Sequence, residues 1–452
     1  MGPINVFARW RPLSQSEAED GDIHRSGTLP VDSGNLHSVS ITPPASSTQG
    51  QVHRPWTSPP AFHAVFEAHD SNRTVYNTVV APSIPRMMLH GDNCSFFAYG
   101  HSGSGKTHTI LGYDFADANG SNPELGLCLA AARDLFDALH EEEEELGVGF
   151  SLFELRRKCA FDLLNDRRQC HVREGPDGKV HVRGETEVLE GGKVRVRPIV
   201  QRACWDFEAF RRELVQGLGR RSTGSSSVHD ESSRTHAVLE LEVVNQPLVD
   251  KRAAWLERQA ELVPVGKRAI DVKMEEDMRS VVRTPQGGWM PNPEYVRDDE
   301  RVDAAEAEKG AFEARVRDAE EEVQAVLQAS DAPPCLGAKM VFVDLAGAEY
   351  MDYGTAGRNA GRQPKQTPQE RQEGRQINSD LLALKEVMRA WSDGGGQKRI
   401  PFRSSTLTMV LREHFLSKTG SSSVIVTVSP AAGEYAATMN SLKYASLVGA
   451  AV

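Results

Sequence analysis

One segment limits what this chain can fold into more than any other: the glycine-rich run Gly-His-Ser-Gly-Ser-Gly-Lys-Thr at residues 100–107. It fits the pattern GxxxxGK followed by Ser or Thr, and it lies between an apolar run and residues suited to start a helix. In such a loop the glycines let backbone N–H groups curl around phosphate oxygens. Lys106 would neutralise the β- and γ-phosphates, and the Thr107 hydroxyl would ligate Mg²⁺. The predicted phosphate-binding residues are Gly100, His101, Ser102, Gly103, Ser104, Gly105, Lys106 and Thr107.

A second element supports nucleotide chemistry, because the apolar run Val341-Phe342-Val343 ends in the carboxylate of Asp344. An acidic residue at the end of a buried strand beside a phosphate loop can hold the hydration shell of Mg²⁺. Many buried strands end in Asp, so this pattern is weak when it stands alone. Together with the glycine-rich loop it predicts an NTPase rather than a Gly/Ser-rich linker.

The rest of the chain alternates between apolar runs bounded by turn residues and stretches with helical periodicity. This alternation is typical of a sheet covered by helices on both faces. The helical pattern is clearest at 376–391, where apolar residues at Ile377, Leu381, Leu384 and Met388 share one face. The predicted strands are INVFARW, NCSFFAY, AVLELEVV, KMVFVDL and SVIVTVS.

Composition places the chain among ordinary globular proteins, with 39% hydrophobic and 25% charged residues. No apolar run approaches the roughly 18 residues that cross a bilayer. The N-terminus lacks the basic-then-apolar layout of a secretion signal. The six cysteines are scattered and include no CxxC pair, which indicates reduced thiols in a cytosolic protein.

Charge is unevenly distributed along the chain, whose formal net charge is −11. Residues 247–336 carry 13 Lys/Arg against 20 Asp/Glu, a net charge of −7. Residues 350–420 carry 12 Lys/Arg against 7 Asp/Glu, a net charge of +5. The second stretch offers a basic surface to an acidic partner, although an ordinary solvated surface has the same pattern. The first is rich in Ala, Glu, Asp and Arg, is interrupted by Pro and Gly, and is predicted to form a partly helical insertion.

Seven segments, in family order along the chain, resemble the motifs of kinesin motor domains. FAYGHSGSGKTHT resembles their phosphate loop, SSRTHAV at 232–238 their switch I, and VDLAGAE at 343–349 their switch II. The other four are ARWRPL, INSDLLALKEVMRA, IPFRSSTLTMVLREHF and SPAAGEYAATMNSLKYA. The resemblance runs from residue 4 to about residue 448 and leaves 247–336 unmatched. The segments LLALKEVMRAW, GLCLAAARDLF and FDLLN are most similar in sequence to the internal-motor, microtubule-depolymerising kinesins.

This resemblance implies an α/β fold, a P-loop NTPase of kinesin type with a central, mostly parallel eight-stranded sheet flanked by helices on both faces. It implies that residues 1–452 form a motor domain. The charged segment 247–336 would be inserted at the hairpin between the strands that carry switch I and switch II. Because both site-facing strand ends would lie at the nucleotide, the insertion is expected to project from the opposite end of the sheet.

The resemblance also assigns roles to residues around the phosphate loop. Arg9 and Pro12 of the opening strand, with His108 after the loop, are expected to sandwich the adenine. Gly347 is expected to donate its backbone N–H to the γ-phosphate. Asp344 is expected to hold Mg²⁺ through water, beside the Thr107 hydroxyl.

In switch I, the hydroxyls of Ser232 and Ser233 are expected to reach the γ-phosphate and Mg²⁺. Arg234 is expected to pair with Glu349 of switch II, which would close the site over the γ-phosphate and order the attacking water. The alternative is a surface ion pair of little energetic consequence. Hydrolysis would remove the γ-phosphate contact and relax switch II together with the helix that follows it.

The basic stretch corresponds to the microtubule-facing surface of kinesins, where contacts with acidic tubulin would depend on charge and weaken with salt. Its candidate residues are Arg358, Arg362, Lys365, Arg371, Arg375, Lys398, Arg399 and Arg403. The departures from the family pattern are His229, Ala348, Tyr350 and Thr406. They point to slower switch I closure and weaker microtubule attachment, while the core nucleotide residues remain.

The sequence therefore predicts an ATP-dependent microtubule motor, a microtubule-stimulated ATPase that uses ATP, ADP and Mg²⁺ and moves along or disassembles microtubules. One alternative is a degenerate kinesin-like protein that binds microtubules with very slow or no ATP turnover. Another is a P-loop enzyme unrelated to the cytoskeleton, such as a small-molecule kinase. The expected partner is the microtubule, with neither nucleic acid nor membrane, in the cytoplasm and its cytoskeleton. Oligomeric state, direction and cargo are expected to depend on segments outside this chain.

Overall fold

The computed structural model describes residues 4–18, 22–28, 35–43, 54–112, 125–142, 145–174, 180–188, 194–221, 234–284, 287–348, 368–392, 400–416 and 420–449. The chain divides into two compact units. Unit 1 consists of residues 1–182, 199–243 and 334–452, and unit 2 consists of residues 183–198 and 244–333.

Strands occur along the whole described chain. They are β1 (Ile4–Trp10), β2 (His24–Thr28), β3 (Ser38–Thr42), β4 (Trp56–Thr57), β5 (Ala64–Phe66), β6 (Cys94–Tyr99), β7 (Leu146–Arg156), β8 (Cys159–Asp162), β9 (Arg168–Glu174), β10 (Val180–Val188), β11 (Val194–Pro198), β12 (Arg202–Cys204), β13 (His236–Asn245), β14 (Val281–Arg283), β15 (Trp289–Pro291), β16 (Lys339–Asp344) and β17 (Ser421–Val428). The five predicted strands are confirmed as β1, β6, β13, β16 and β17.

Helices alternate with these strands. They are α1 (Gln15–Ala18), α2 (Asn72–Val79), α3 (Ser83–His90), α4 (Lys106–Ile110), α5 (Leu127–Leu139), α6 (Phe207–Gly219), α7 (Gln246–Arg279), α8 (Asp299–Leu327), α9 (Pro368–Ser392), α10 (Thr406–Val410), α11 (Arg412–Leu416) and α12 (Tyr435–Gly449). Within the described ranges, none of these helices has the length and apolar character needed to cross a membrane.

The main sheet of unit 1 runs in the order β9-β8-β7-β13-β16-β6-β17-β1-β5, and β12 pairs with β7. The pairs β16–β6, β6–β17, β17–β1 and β1–β5 are parallel. By contrast, β13 is antiparallel to β16, and β7, β8 and β9 pair antiparallel in sequence. The sheet is therefore mixed, and it has more strands than the eight predicted. Among the added strands, β9 (RQCHVRE) and β12 (RAC) are largely polar and carry no strong strand signal, whereas β7 is long and buried.

Strand β6 lies at the centre of this sheet, and all six of its residues are buried. Phe96 stacks on Phe342 of β16, with ring centroids 5.0 Å apart, while Phe97 stacks on Phe415 of α11 at 5.5 Å. A parallel strand buried on both faces is covered by helices on both sides and has an unbroken apolar sequence. This packing gives the residues that follow β6 a rigid support.

Helix α9 confirms the helix predicted at 376–391. Its apolar residues Ile377, Leu381, Leu384 and Met388 are buried in the main hydrophobic core. Their four- and three-residue spacing places them on one face of the helix, as the sequence pattern requires. Burial of this face fixes which side of α9 is turned toward the sheet.

In unit 2, the long helices α7 and α8 pack against each other and run antiparallel. Two ion pairs show the direction: Lys251 pairs with Glu322 at 2.9 Å, and Arg268 pairs with Glu308 at 2.7 Å. The residue numbers increase along α7 from one pair to the next while they decrease along α8. Helix α7 begins at an N-cap, Asn245, whose side chain accepts a backbone N–H of the first turn. Strands β14 and β15 form an antiparallel pair between the two helices.

The chain leaves unit 1 after β13 and returns to it before β16. The Val243 N–H donates to the Ala338 carbonyl over 3.0 Å, and the Gly337 N–H donates to the Val243 carbonyl over 2.9 Å. Asp344 stands at the other end of the same strand pair. The two connections to residues 244–333 therefore lie side by side, at the strand ends remote from Asp344.

Candidate nucleotide-binding site

The predicted phosphate loop is the turn between β6 and α4. Gly105, the residue before α4, has a φ of +99°, a left-handed conformation that glycine adopts without a steric penalty. Ser104 anchors the loop to the sheet, because its Oγ lies 2.8 Å from Oγ1 of Thr427 on β17. His101 is buried with Ser104, whereas Ser102 and the glycine after it are exposed. Burial lowers the pKa of His101 to about 4, which favours its neutral form.

Lys106 is buried inside this loop, with 6% of its surface exposed. Its ammonium donates hydrogen bonds to the carbonyl oxygens of His101 at 2.7 Å and Gly100 at 3.1 Å. Burial lowers the pKa of Lys106 to about 8, although the nearby Asp344 carboxylate opposes the change. Because neutral carbonyls do not balance a buried positive charge, an anionic phosphate at this position would be strongly favoured.

Thr107, the residue after Lys106, faces the carboxylate of Asp344 at the end of β16. The Thr107 hydroxyl donates to Oδ2 of Asp344 over 2.8 Å, and Arg221 NH1 donates to the same oxygen over 2.8 Å. Asp344 is almost fully buried, and its second oxygen, Oδ1, has no hydrogen-bond partner in the described part of the chain. A buried carboxylate oxygen without a donor favours an additional ligand at this point.

Arg221 is a site residue that sequence reasoning missed. It follows α6, its side chain is 5% exposed, and it also donates to the Thr235 carbonyl over 3.3 Å. The neighbouring Arg220 turns away and pairs with Asp166 at 3.3 Å. Two adjacent arginines in an Arg-Arg-Ser run look alike in sequence. The residue at which α6 ends determines whether Arg220 or Arg221 points into the site.

The oxygen ligands at this point fit Mg²⁺. The Thr107 hydroxyl and the unpartnered Oδ1 of Asp344 are hard oxygen donors of the kind that Mg²⁺ prefers. The described residues contain no cluster of three or more His, Cys, Asp or Glu side chains able to hold a metal ion. A magnesium ion at a phosphate site does not need one, because phosphates and water supply most of its ligands.

The segment that follows β16 is docked on the phosphate loop. A Cβ on Gly347 would lie 2.7 Å from the Cα and 2.8 Å from the N of Ser102, so only glycine fits at this distance. The Ala348 N–H donates to the Gly100 carbonyl over 3.1 Å. Gly347 thus lies against the phosphate loop, while its predicted hydrogen bond to the γ-phosphate stays a prediction. Ala348, noted as a departure from the family pattern, is part of the same contact.

His236 on β13 is a second residue that sequence reasoning missed, although it lies within the SSRTHAV motif. It is 3% exposed, and its Nδ1 accepts the Ala346 N–H over 3.0 Å. This bond joins the strand after the predicted switch I to the backbone of the predicted switch II. Burial is the main reason that the pKa of His236 is lowered to about 3, so the ring is neutral.

The predicted adenine residues differ in exposure. The Arg9 guanidinium is buried and donates to Asn72 Oδ1 at 2.5 Å and to Thr109 Oγ1 at 2.9 Å. The Asn72 amide in turn donates to the His108 carbonyl over 3.0 Å, so Arg9 and His108 are tied together through one side chain. Pro12 is exposed. Arg9 is therefore held from the protein side, with its orientation fixed by α2 and α4.

Of the residues predicted for switch I, Arg234 is described, and it lines a cleft together with His236, Glu373 and Asp380. Ser232, Ser233 and Glu349 lie outside the described residues, so the predicted Arg234–Glu349 pair stays a prediction. His229 and Tyr350 lie outside them as well. Thr406 begins α10, whose N-cap Ser405 forms a capping box with Thr408.

The predicted microtubule-facing residues are described in part. Arg371 and Arg375 on α9 are exposed. Arg403 is exposed too, but it makes a two-pronged ion pair with Glu174 of β9, with both N···O distances 2.8 Å, and Arg412 reaches the same carboxylate at 3.2 Å. Part of the positive charge predicted for this surface is therefore balanced within the protein. The remaining candidates, Arg358, Arg362, Lys365, Lys398 and Arg399, lie outside the described residues.

Comparison with protein families decides which class of NTPase this site belongs to. The model of the kinesin motor domain matches residues 9–264 and 314–450. The chain is a kinesin motor domain. The kinesin match covers the phosphate loop, both predicted switches and α9, and it leaves residues 265–313 of the α7–α8 region unmatched.

This kinesin chain resembles several curated kinesin-like proteins. It is 29% identical over 454 residues to kinesin-like protein KIN-13A of Oryza sativa subsp. japonica, covering 98% of the chain and 41% of that protein. It is 28% identical over 390 residues to KIN-13B of Arabidopsis thaliana, covering 86% of the chain and 39% of that protein. The chain thus spans about two fifths of the length of these relatives.

Solved kinesin structures share the fold. A microtubule-bound KIF14 dimer with AMP-PNP matches with a TM-score of 0.60 and 20% identity, covering 99% of this chain and 94% of that chain. The motor domain of a Kar3-like kinesin from Ashbya gossypii matches with a TM-score of 0.57 and 17% identity, covering 99% of both chains. At these identities the likeness establishes the architecture, including the helices on both faces of the sheet.

Proposed function

We propose that this kinesin motor domain hydrolyses ATP with Mg²⁺ and couples the state of the nucleotide to binding of microtubules. The observation that carries the proposal is the group of contacts around the phosphate loop. Lys106 is buried in the loop, Thr107 bonds to Asp344, and Gly347 is seated on Ser102. Together they offer a positive charge, oxygen ligands and a backbone N–H to a nucleoside triphosphate.

In the proposed reaction Lys106 exchanges its bonds to loop carbonyls for bonds to β- and γ-phosphate oxygens. Bound Mg²⁺, held by the Thr107 hydroxyl and through water by Asp344, would neutralise the charge shared by these phosphates. Arg234 and Glu349 would close above the γ-phosphate and shield the attacking water from bulk solvent. When the γ-phosphate leaves, the Gly347 N–H would lose its acceptor, and the segment it belongs to would be released.

ATP turnover by the purified chain, measured with and without saturating microtubules, tests this proposal. The wild-type chain is expected to turn over ATP faster when microtubules are present. Lys106→Ala is expected to reduce turnover on the order of 10²-fold or more, because it removes the charge that faces the transferred phosphoryl group. Lys309→Ala, which changes an exposed ion pair on α8, is the matched control and should leave turnover unchanged.

Wild-type turnover no faster than that of Lys106→Ala, in either condition, would contradict the proposal. The second candidate, a motor domain that binds microtubules with very slow or no turnover, is favoured by the departures from the family pattern at His229 and Ala348 in the predicted switches and by the acidic insertion 247–336. Co-sedimentation with microtubules without stimulated turnover would support that candidate. In both cases, binding is expected to weaken as the salt concentration rises.

Within this function, the segments that resemble internal-motor kinesins favour shortening of microtubules over movement along them. An assay that immobilises the chain and records labelled filaments separates the two modes. Gliding without loss of filament length would reverse the assignment.

A further inference from the structure

A series of buried contacts runs from the phosphate loop to helix α9. The Ala348 N–H donates to the Gly100 carbonyl over 3.1 Å, and the Ala346 N–H donates to His236 Nδ1 over 3.0 Å. The other nitrogen of the same ring, Nε2, lies 4.0 Å from a carboxylate oxygen of Asp380 on α9. The first two contacts are hydrogen bonds, whereas the third is too long to be one.

The bond from Ala346 determines where the His236 ring carries its proton. Because Nδ1 accepts a backbone N–H and the buried ring is neutral, the proton is on Nε2. This N–H is buried, and the described residues provide it with no hydrogen-bond partner. A buried donor without an acceptor is unfavourable, and the Asp380 carboxylate stands 4.0 Å away.

Asp380 is buried with little compensation for its charge. It is 4% exposed, it accepts one hydrogen bond from Gln376 at 3.0 Å, and burial raises its pKa to about 6. Glu373 on the same helix is similarly buried, but Arg156 and Arg157 reach its carboxylate at 3.0 and 2.9 Å. Asp380 thus weakens the fold, while Glu373 is held as a structural ion pair would be.

We propose that Asp380 is a positioning residue: its negative charge orients the His236 ring, so that Nδ1 stays against the Ala346 N–H and Gly347 stays seated on the phosphate loop. The carboxylate acts on the Nε2–H across 4.0 Å by charge–dipole attraction. A shift of α9 by about 1 Å toward the ring would turn this attraction into a charge-assisted hydrogen bond. The contact thereby connects the position of α9 with the seating of Gly347. Its relevance to ATP turnover rests on the proposed function, whereas the positioning itself does not.

The groups around Asp380 determine how pH should affect the hydrogen bond between Ala346 and His236. The charged and titratable side chains that line the same cleft are Arg156, Arg157, Arg234, His236 and Glu373. Within this cleft, the Asp380 carboxyl is the group whose pKa burial moves to about 6. Protonation of Asp380 below this pH removes the charge that orients the ring, so the Ala346 bond should weaken in mild acid.

Amide hydrogen exchange of the full chain, followed by mass spectrometry, tests this directly. The readout is the protection factor of the peptide that contains Ala346, corrected for the intrinsic effect of pH. At pH 7.5 the variant Asp380→Asn, which keeps the shape and removes the charge, is expected to lower this protection factor about tenfold. The wild-type value should fall toward that of the variant between pH 7.5 and pH 5, while the variant changes little.

The matched control is Glu373→Gln, the same type of change in the same cleft. It should lower the melting temperature, because it breaks contacts with two arginines, and leave the protection of the Ala346 peptide close to wild type. Asp380→Asn should instead raise the melting temperature at pH 7.5, which a purely structural role would not produce. Equal protection in wild type and Asp380→Asn, or equal loss of protection in both variants, would overturn the proposal.

Nucleotide chemistry is read separately on the same proteins. Wild-type turnover compared with Lys106→Ala reports on the proposed function, and hydrogen exchange of Asp380→Asn reports on the positioning. If wild type and Lys106→Ala are equally inactive while the exchange result holds, the function fails and the positioning stands. If exchange is unchanged in Asp380→Asn while wild type is active, the positioning fails and the function stands.

Discussion

At the scale of single residues, the stability of this protein should depend on pH through Asp380. Burial raises the pKa of this carboxyl from 3.8 to about 6, so the folded state holds the proton more tightly than the unfolded chain does. The stabilisation is complete below pH 3.8 and is lost as the pH rises through about 6. Above that pH the carboxylate costs at most about 3 kcal/mol.

Asp380→Asn removes this titration. Urea unfolding should therefore find the variant more stable than wild type at pH 7.5 by up to about 3 kcal/mol, with a difference that shrinks toward pH 5. Glu373→Gln should have the opposite sign and lose about 1 to 3 kcal/mol at pH 7.5, because its buried carboxylate is bonded to two arginines. A difference between wild type and Asp380→Asn that does not vary with pH would contradict the titration.

The residues of the site differ in how far the sequence predicts them. The phosphate loop is predictable because phosphate binding is done by consecutive residues, so Lys106 and Thr107 are fixed by local spacing. Arg221, His236 and Asp380 are not, because each acts through a partner that is distant in sequence: Asp344, Ala346 and the His236 ring. Their pairing depends on strand register and on where a helix ends, and neither is encoded in a short motif.

At the scale of elements, the segment after β16 should tolerate no side chain at Gly347. A Cβ there would meet the Ser102 backbone at 2.7 to 2.8 Å, a contact that forces the segment away from the phosphate loop. Gly347→Ala is expected to lower ATP turnover on the order of 10²-fold, because the backbone N–H would no longer face the γ-phosphate. Steady-state turnover with microtubules present measures the effect.

Gly433→Ala is the control for this substitution, since a Cβ at Gly433 meets no atom within 4 Å. It should leave both turnover and melting temperature near the wild-type values. Nucleotide affinity separates a change in the site from loss of the fold, because a Gly347→Ala protein that turns over slowly but still binds nucleotide is folded. If Gly347→Ala keeps full turnover, the segment is free to move without consequence, and its seating on Ser102 has no role in the reaction.

The main sheet shows the same division between what is local and what is not. Its parallel centre is predictable because β1, β6, β16 and β17 are rich in apolar residues, as burial on both faces requires. The antiparallel strands β7, β8, β9 and β12 extend the sheet beyond the eight strands expected. β9 and β12 are short and largely polar, so pairing with a neighbour, rather than their own sequence, makes them strands.

At the scale of the whole molecule, unit 1 should fold and bind nucleotide without residues 247–333. Val243 and Gly337 are already joined by a hydrogen bond of 2.9 Å, so a short turn can connect β13 to β16. Replacing the insertion by a short turn does not raise the entropic cost of bringing β13 and β16 together. The shortened protein is therefore expected to keep its melting temperature or raise it, and to keep basal ATP turnover within about twofold.

A control for this excision replaces only the β14–β15 segment, residues 281–291, with a glycine-rich turn. Because the change is confined to unit 2, it should leave turnover unchanged even if it loosens α7 and α8. Basal and microtubule-stimulated turnover are measured on both shortened proteins. Loss of basal turnover in the excised chain alone would mean that the phosphate loop needs residues 247–333. Loss of stimulation alone would assign the insertion to the filament or to the transmission of force, since the nucleotide site would then be intact.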